Sequence, residues 1–332
     1  MRNDLVMAHS PFSMGSSSAA PPLSLSWSPQ EQWVWGKICD GQMADLQDFD
    51  HAGESDDSTQ PKEWSTRHIL RSCFLWQILC EEPYRGVIPV AGVRIKGAWW
   101  SERLDCPHHQ IDHDLCLRAC RFDSPVNLAG LHTTGMLSFE ESDFAQAFTL
   151  RGSSIKKDLV FDGCTMSMPV DMEAITVGGL LWLGAHGTFA SIHLNGSRIG
   201  RGLSISKTTI EAGLNIEQAQ ITGNVYIEKT EVLSDLSMQD TNVQGQLSCS
   251  NSVIFGCLKM KGLHVHGDTY LRQGLQCESV DFHEAQFDAR LVILHSHIDS
   301  LMNFEGITVG GSLSIGRNVS CPEINFEHAR VI

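Results

Sequence analysis

The side chains best suited to chemistry crowd one short stretch, where Cys106, His108, His109, His113, Cys116 and Cys120 fall within fifteen residues. Thiolates and imidazoles bind zinc when three or four of them converge tetrahedrally, so Cys106, His108, His109 and His113 are candidate metal ligands. His264, His266, His283, His295 and His297 form a sparser second set, and His186 lies in the glycine-rich segment Gly179–Gly187. No βαβ pattern follows that segment, so it is not a dinucleotide fingerprint. Nothing has the spacing of a nucleophile elbow or a phosphate loop, and the carboxylates are too scattered for a glycoside-cleaving pair. Which of these groups can converge depends on the elements that carry them.

Those elements are set by an internal repeat. Leu203, Ile205, Thr208 and Ile210 mark four positions of a unit that recurs every 11 residues. The first position continues as Leu214, Val225, Leu236 and Leu247, and the second as Ile216, Ile227, Met238 and Cys249. The third is mostly small (Ala219, Thr230, Thr241, Ser252, Ala285), and the fourth reads Ile221, Val232, Val243 and Ile254. From Val93 to Val331 the register predicts 22 units without a slip, and 43 of the 44 residues at the first two positions are apolar, Thr269 excepted.

An 11-residue period also fits a helical supercoil. Here, however, the inward positions are residues 1, 3, 6 and 8 of the unit, which scatter around a helix at ~100° per residue. At period two they give two short strand segments, each pointing two side chains the same way. Glycines near the unit boundaries (Gly202, Gly213, Gly223, Gly245, Gly256, Gly267) and β-branched core residues suit strands and tight corners. Two units, about 22 residues with four short sides, close a square coil, although a flatter coil with two longer sheets fits the same pattern. The expectation is a mainly β chain: a right-handed parallel β-helix, a quadrilateral solenoid of about eleven coils, roughly 50 Å long at ~4.8 Å per coil.

The register gives each candidate ligand a direction. Cys106, His109 and Cys120 take inward positions, whereas His108, His113 and Cys116 face out, so no metal site is expected from them. His186 takes a small inward position, and the later histidines are read as surface residues. No cofactor is implied.

Residues 1–27 are rich in Ser, Pro and small residues and read as a disordered tail, and residues 28–90 as a helical N-terminal cap. Ser28, Pro29 and Glu31 make a helix start with a capping box, followed by Val34, Trp35 and Ile38 at helical spacing. Residues 50–61 form an acidic loop. A second helix is predicted from Pro61 to Glu82, packing through Ile69, Cys73, Trp76 and Cys80 and stopped by Pro83. Helices this short need a partner, and the first coil of the solenoid at 91–332 is next in the chain.

The net charge of −15 disfavours nucleic acid and anionic lipid as direct ligands. No apolar run reaches the ~20 residues of a membrane span, and the N-terminus lacks the apolar core of a secretory signal. Eleven cysteines without a CxxC pair point to a reducing compartment. The expected location is cytoplasmic, with the membrane periphery as the alternative.

Leu214-x-Ile216 and Ala219-x-Ile221 look like two five-residue repeats joined with one extra residue, and residues 91–332 resemble the pentapeptide-repeat family of β-helices. The strict five-plus-six alternation and the scarcity of Asp or Asn before the central apolar residue depart from the family pattern. The resemblance extends to larger bacterial members that place a short helical segment before the array, some of which carry membrane-associated or oxidoreductase labels. It implies a right-handed quadrilateral β-helix and, in some members, mimicry of duplex DNA that binds topoisomerases. Residues 91–332 hold 27 acidic and 18 basic residues without regular acidic rows, which does not favour mimicry.

The outward residue between the first two inward positions, taken every second unit, reads Val160, Trp182, Ser204, Tyr226, Ser248, Tyr270 and Val292. Trp182, Tyr226 and Tyr270 would therefore line one face, and aligned aromatics mark recognition surfaces. Val331 and Ile332 are in register with no cap after them, so the last coil is expected to offer unpaired edges. These features predict a non-catalytic scaffold for protein–protein interaction that uses the Trp182–Tyr226–Tyr270 face and self-associates through its last coil. One alternative is an enzyme-associated or membrane-associated protein with a site between the helical cap and the first coils, near Trp99, Trp100 and His108. The other is a DNA mimic that binds a topoisomerase.

Overall fold

The computed structural model describes residues 22–51 and 64–332. Parallel strands stack into a β-solenoid in which each residue pairs with its equivalents one coil before and one coil after it: Leu203 lies between Leu181 and Val225. Each coil contributes to four ladders. The first runs through Val93, Leu115, Leu137 and Leu159, the second through Trp100, Phe122 and Phe144. The third holds Leu104, Val126 and Phe148, the fourth Ile111, Thr133 and Ile155. Second and third merge into one 19-stranded sheet, because strands Val253–Lys259 and Gln276–Asp281 run unbroken through the corner. The coil is thus four-sided rather than flattened.

Inward residues of successive coils fall on one another and close the core. Phe139 stacks on Phe161 at 5.4 Å and Phe282 on Phe304 at 5.1 Å, in nearly parallel planes, close to the ~4.8 Å strand spacing. The small third position also has a polar reason. Its hydroxyl donates to a carbonyl of the coil below, as Thr241 does to Ile216 (2.7 Å), Ser153 to Leu128 (2.7 Å) and Ser142 to Leu117 (3.0 Å). The buried hydroxyls at this position therefore meet partners.

The corners differ from expectation. Residue five of every unit turns the chain with positive φ, including Glu141 (+57°), Lys207 (+52°), Gln218 (+57°) and Lys229 (+53°); the unit starting at Leu313 does so one residue late, at Asn318. Most of these residues are not glycine, and inter-coil bonds hold them there, such as Lys229 N–H to Ser250 O (3.0 Å) and Gln218 N–H to Gln239 O (2.9 Å). Of the boundary glycines only Gly202 has positive φ. Gly223, Gly245, Gly256 and Gly267 serve close stacking: a Cβ on Gly245 would come within 2.6 Å of the Gly223 carbonyl, and one on Gly267 equally close to that of Gly245.

Besides the late corner at Asn318, which brings Val319 and Cys321 against the core in place of Asn318 and Ser320, the register slips locally in two units. After Leu183 the chain inserts a residue, with positive φ at both Ala185 and His186, so Gly187 and Phe189 point inward. Phe189 accordingly pairs with Met166, one position further back than the coil period requires. His186 is exposed, which corrects its predicted inward position. At Gln273-Gly274 the same device turns Leu275 and Cys277 inward in place of Gln276. Both bulges occur where the strict repeat would bury a polar side chain with too few partners.

The cap closes the first end. Helix α1 (Pro29–Cys39) starts with the predicted capping box at Ser28 and Glu31. Strand β1 (Ala44–Asp45) pairs with β2 (Val93–Lys96) and extends the first ladder by one strand. A short helix, α2 (Leu46–His51), follows; the expected acidic loop lies mostly outside the described residues. The second predicted helix is shorter than expected. Ile69 bridges to Trp99 and Leu70 N–H bonds Trp99 O (3.2 Å), so edge pairing with the second ladder replaces helix, and α3 spans only Ser72–Cys80. It packs through Phe74, Leu75, Ile78 and Leu79; of the predicted face, Trp76 and Cys80 also pack against the core, whereas Cys73 is exposed. Trp27, placed in the tail from sequence, belongs to this packing. Trp27 is buried against Trp35, Phe74 and Tyr84 and donates to Gln77 Oε1 at 2.7 Å.

Candidate functional site

Because side chains alternate along a strand and successive coils stack in register, outward residues form straight rows. On the first ladder one row runs Val160, Trp182, Ser204, Tyr226, Ser248, Tyr270, Val292 without a break. The serines between the aromatics leave each ring its own space. Trp182 is 37% exposed; Tyr226 and Tyr270 are half-buried.

The Tyr270 end is fixed by charge. Its hydroxyl donates to Asp268 Oδ2 (3.1 Å) and accepts from Arg290 Nη2 (3.1 Å), while the Arg272 guanidinium lies 4.4 Å from its ring centroid. Arg290 grips Asp268 with two nitrogens and holds its carboxyl down at about 2. Tyr226 accepts from Asn224 Nδ2 (2.9 Å). The row thus presents indole, phenol and guanidinium groups on a stiff sheet, a combination suited to contact with another macromolecule.

The candidate ligands near the cap are not brought together. Cys106 and Cys120 are buried as expected, and burial pushes the Cys120 thiol up to about 12. His109, predicted inward, is exposed and bonds its Nδ1 to Pro107 O at 2.8 Å; buried in the corner, its ring would need partners for two nitrogens. His108 is the exposed corner residue. His113 is half-buried and hydrogen-bonds Arg85 O at 3.0 Å. Cys106 instead meets Cys80 of α3. The Cys106 thiol favours the Cys80 thiolate, helped by His109 and Arg85, and holds Cys80 below the ordinary thiol range against the opposing effect of burial. Cys106 itself is pushed up by the same partnership and by burial.

A different group converges on the fourth ladder. His264 and His266 flank the buried Val265 and so point outward together, and Asp288, beside Phe287 on the next coil, reaches both. His264 Nε2 lies 3.1 Å from Asp288 Oδ1 and His266 Nδ1 2.7 Å from Oδ2, with the imidazole centroids 4.0 Å apart. Gln286 donates to Asp288 Oδ1 at 2.7 Å, and this bond, outweighing partial burial, with support from His264 and His266 holds the carboxyl below its ordinary range. The sequence signal was available: His266 and Asp288 are one coil apart, and His264 is two residues before His266.

Acidic side chains do not line up in rows. The outward row of the third ladder reads Asp105, Asn127, Thr149, Asp171, His193, Asn215, Ser237, Lys259, Asp281. Among the described residues, no helix is long and apolar enough to cross a membrane. No family model, curated protein or solved structure matches the chain.

Proposed function

We propose that this chain is a non-catalytic scaffold that binds a protein partner through the first ladder, with Trp182, Tyr226 and Tyr270 as the contact residues. The reading rests on the in-register aromatic row, whose rings are spaced by serines and anchored at one end by Arg272 and Arg290. A second contact of the same scaffold is self-association through the last coil, supported by the exposed Ile324, Phe326, Val331 and Ile332. The coil period and the paired inward positions support kinship with the pentapeptide-repeat β-helices, and the free thiols of the cysteines support a cytoplasmic setting.

Site-specific photocrosslinking in the cells that make the protein tests the partner face. A benzophenone amino acid at Ser204, inside the aromatic row, should give discrete adducts that disappear when Trp182 and Tyr226 become serine. The same probe at Gln220, on the fourth ladder, should not. Equal adducts at both positions, or adducts indifferent to the aromatic substitutions, would overturn the assignment. Light scattering over a hundredfold concentration range, with Phe326→Asp as control, tests the last coil. A chain that stays monomeric throughout rejects self-association.

A further inference from the structure

We propose that His264, His266 and Asp288 form a binding site for a late first-row divalent cation of the Zn2+ class. One ligand atom from each lies within 4.8 Å of the other two, and a tetrahedral ion with bonds of ~2.0–2.1 Å needs ligand atoms roughly 3.3 Å apart. Small side-chain rotations close that difference, while the strands fix the backbone: Val265, between the two histidines, and Phe287, beside Asp288, are fully buried and paired in register. Two imidazoles and one carboxylate favour Zn2+, Co2+, Ni2+ or Cu2+ over Mg2+ and Ca2+, which prefer oxygen.

The surroundings have the form of a second ligand shell. Gln286 orients Asp288 by its 2.7 Å bond; Asn242 Nδ2 on the preceding coil lies 3.4 Å from His266 Nε2, and because that nitrogen carries the ring proton when Nδ1 coordinates, Asn242 serves it as a partner once its amide turns the oxygen inward. Such partners set imidazole orientation and ligand basicity. The side chains are 28%, 32% and 38% exposed, so the outer coordination positions open to water or an exchangeable ligand. His283, His295 and His297 lack this convergence. His297 faces Asp299 alone, at 3.0 Å, and His283 lies 3.6 Å or more from two glutamates. Protons and the cation compete for the same lone pairs, so binding releases protons and weakens in acid.

The test is titration of the full chain with CoCl2 followed by absorption, then displacement with ZnCl2. One equivalent should produce visible d–d bands without a sulfur charge-transfer band, which separates this site from the eleven cysteines. His266→Ala and Asp288→Asn should each weaken binding by more than ~10-fold, and Gln286→Ala by ~10-fold, as for loss of an orienting partner. His297→Ala should change nothing. His266→Gln, with circular dichroism on every variant, guards against loss of fold. Absence of a one-equivalent site, binding that survives the His264→Ala/His266→Ala double variant, or a sulfur charge-transfer band would each overturn the proposal.

Discussion

Glu31 ties the cap together, and its removal should release the cap from the solenoid. The carboxylate is buried at the start of α1, where it accepts Ser28 N–H (2.8 Å), Arg71 N–H (3.1 Å) and two guanidinium nitrogens of Arg71 (2.9 and 2.5 Å). Arg71 directly precedes α3 and follows Ile69 and Leu70, which pair with Trp99 of the first coil. One side chain therefore joins helix start, helix-to-helix contact and edge pairing. Breaking a buried ion pair from one side costs about 3–5 kcal/mol. The Arg71 side chain is 39% exposed and regains water, so about 2–3 kcal/mol is expected for Glu31→Ala, and about 1–2 kcal/mol for Glu31→Gln, which keeps an acceptor.

The chain supplies its own two probes. Trp27, Trp33, Trp35, Trp64 and Trp76, five of its eight tryptophans, precede the solenoid, so tryptophan fluorescence follows the cap and far-ultraviolet circular dichroism follows the strands. Glu31→Ala should lower the fluorescence midpoint and leave the circular-dichroism midpoint in place, because contacts in a solenoid are local. The pH dependence has a fixed sign. Burial pushes the Glu31 carboxyl up, but its bonds to Arg71 and Ser28 outweigh this and hold it below its ordinary value. Its stabilisation is complete above the unfolded pKa, about 4.3, and is lost as pH falls through the lower folded value. An unchanged fluorescence midpoint, or an equal fall in both signals, would mean that Glu31 does not hold the cap to the solenoid.

Two further outcomes are expected. Gly223→Ala would drive a Cβ into the Arg201 carbonyl of the coil below, whereas at Gly196, with φ +65°, a Cβ meets nothing within 4 Å; thermal melts should show a loss of about 1–3 kcal/mol for the first and about 0.5–1 kcal/mol for Gly196→Ala, the left-handed penalty less the unfolded-chain gain, and a reversed order would contradict the stacking. Alkylation of Cys80 by iodoacetamide, mapped by mass spectrometry, should titrate below the ordinary thiol range, and Cys106→Ala should move that inflection upward; an inflection indifferent to Cys106 would mean that the thiol pair is not formed.

The parts legible in the sequence were those that hydrophobic order controls. Leu203 and Ile205 recur because each must cover the coil beneath it, so the period, the pairing of residues two units apart and the outward row through Trp182 follow from apolar spacing alone. Ser28 and Glu31 were legible because a capping box is local. What escaped depends on contacts between coils. Lys229 and Glu141 hold positive φ through bonds to the next coil, and nothing in a lysine or glutamate announces that conformation. The bulges at His186 and Gly274 escaped because strict periodicity was extended over residues whose burial would be unfavourable; a polar residue at an inward position was itself the sign of a bulge. Ile69 was given to a helix because its alternative partner, Trp99, lies far along the chain, beyond the whole of α3.

The same geometry limits where chemistry can arise on this fold. Outward side chains meet only along a strand, at alternate positions, or across coils, one coil period apart, so a site must be written in the sequence as a combination of those two steps. The group from Cys106 to Cys120 is compact in sequence yet violates the rule, since its members alternate between core, corner and surface. His264, His266 and Asp288 obey it, as do Trp182, Tyr226 and Tyr270. The first set gathers metal-ligating atoms at one point, and the second spreads ring faces along a line two coils apart, ~10 Å per step. A point suits an ion and a line suits a macromolecule. The two sets sit on different ladders, so Co2+ binding should leave crosslinking at Ser204 unchanged, and a partner on the aromatic row should leave the metal spectrum unchanged.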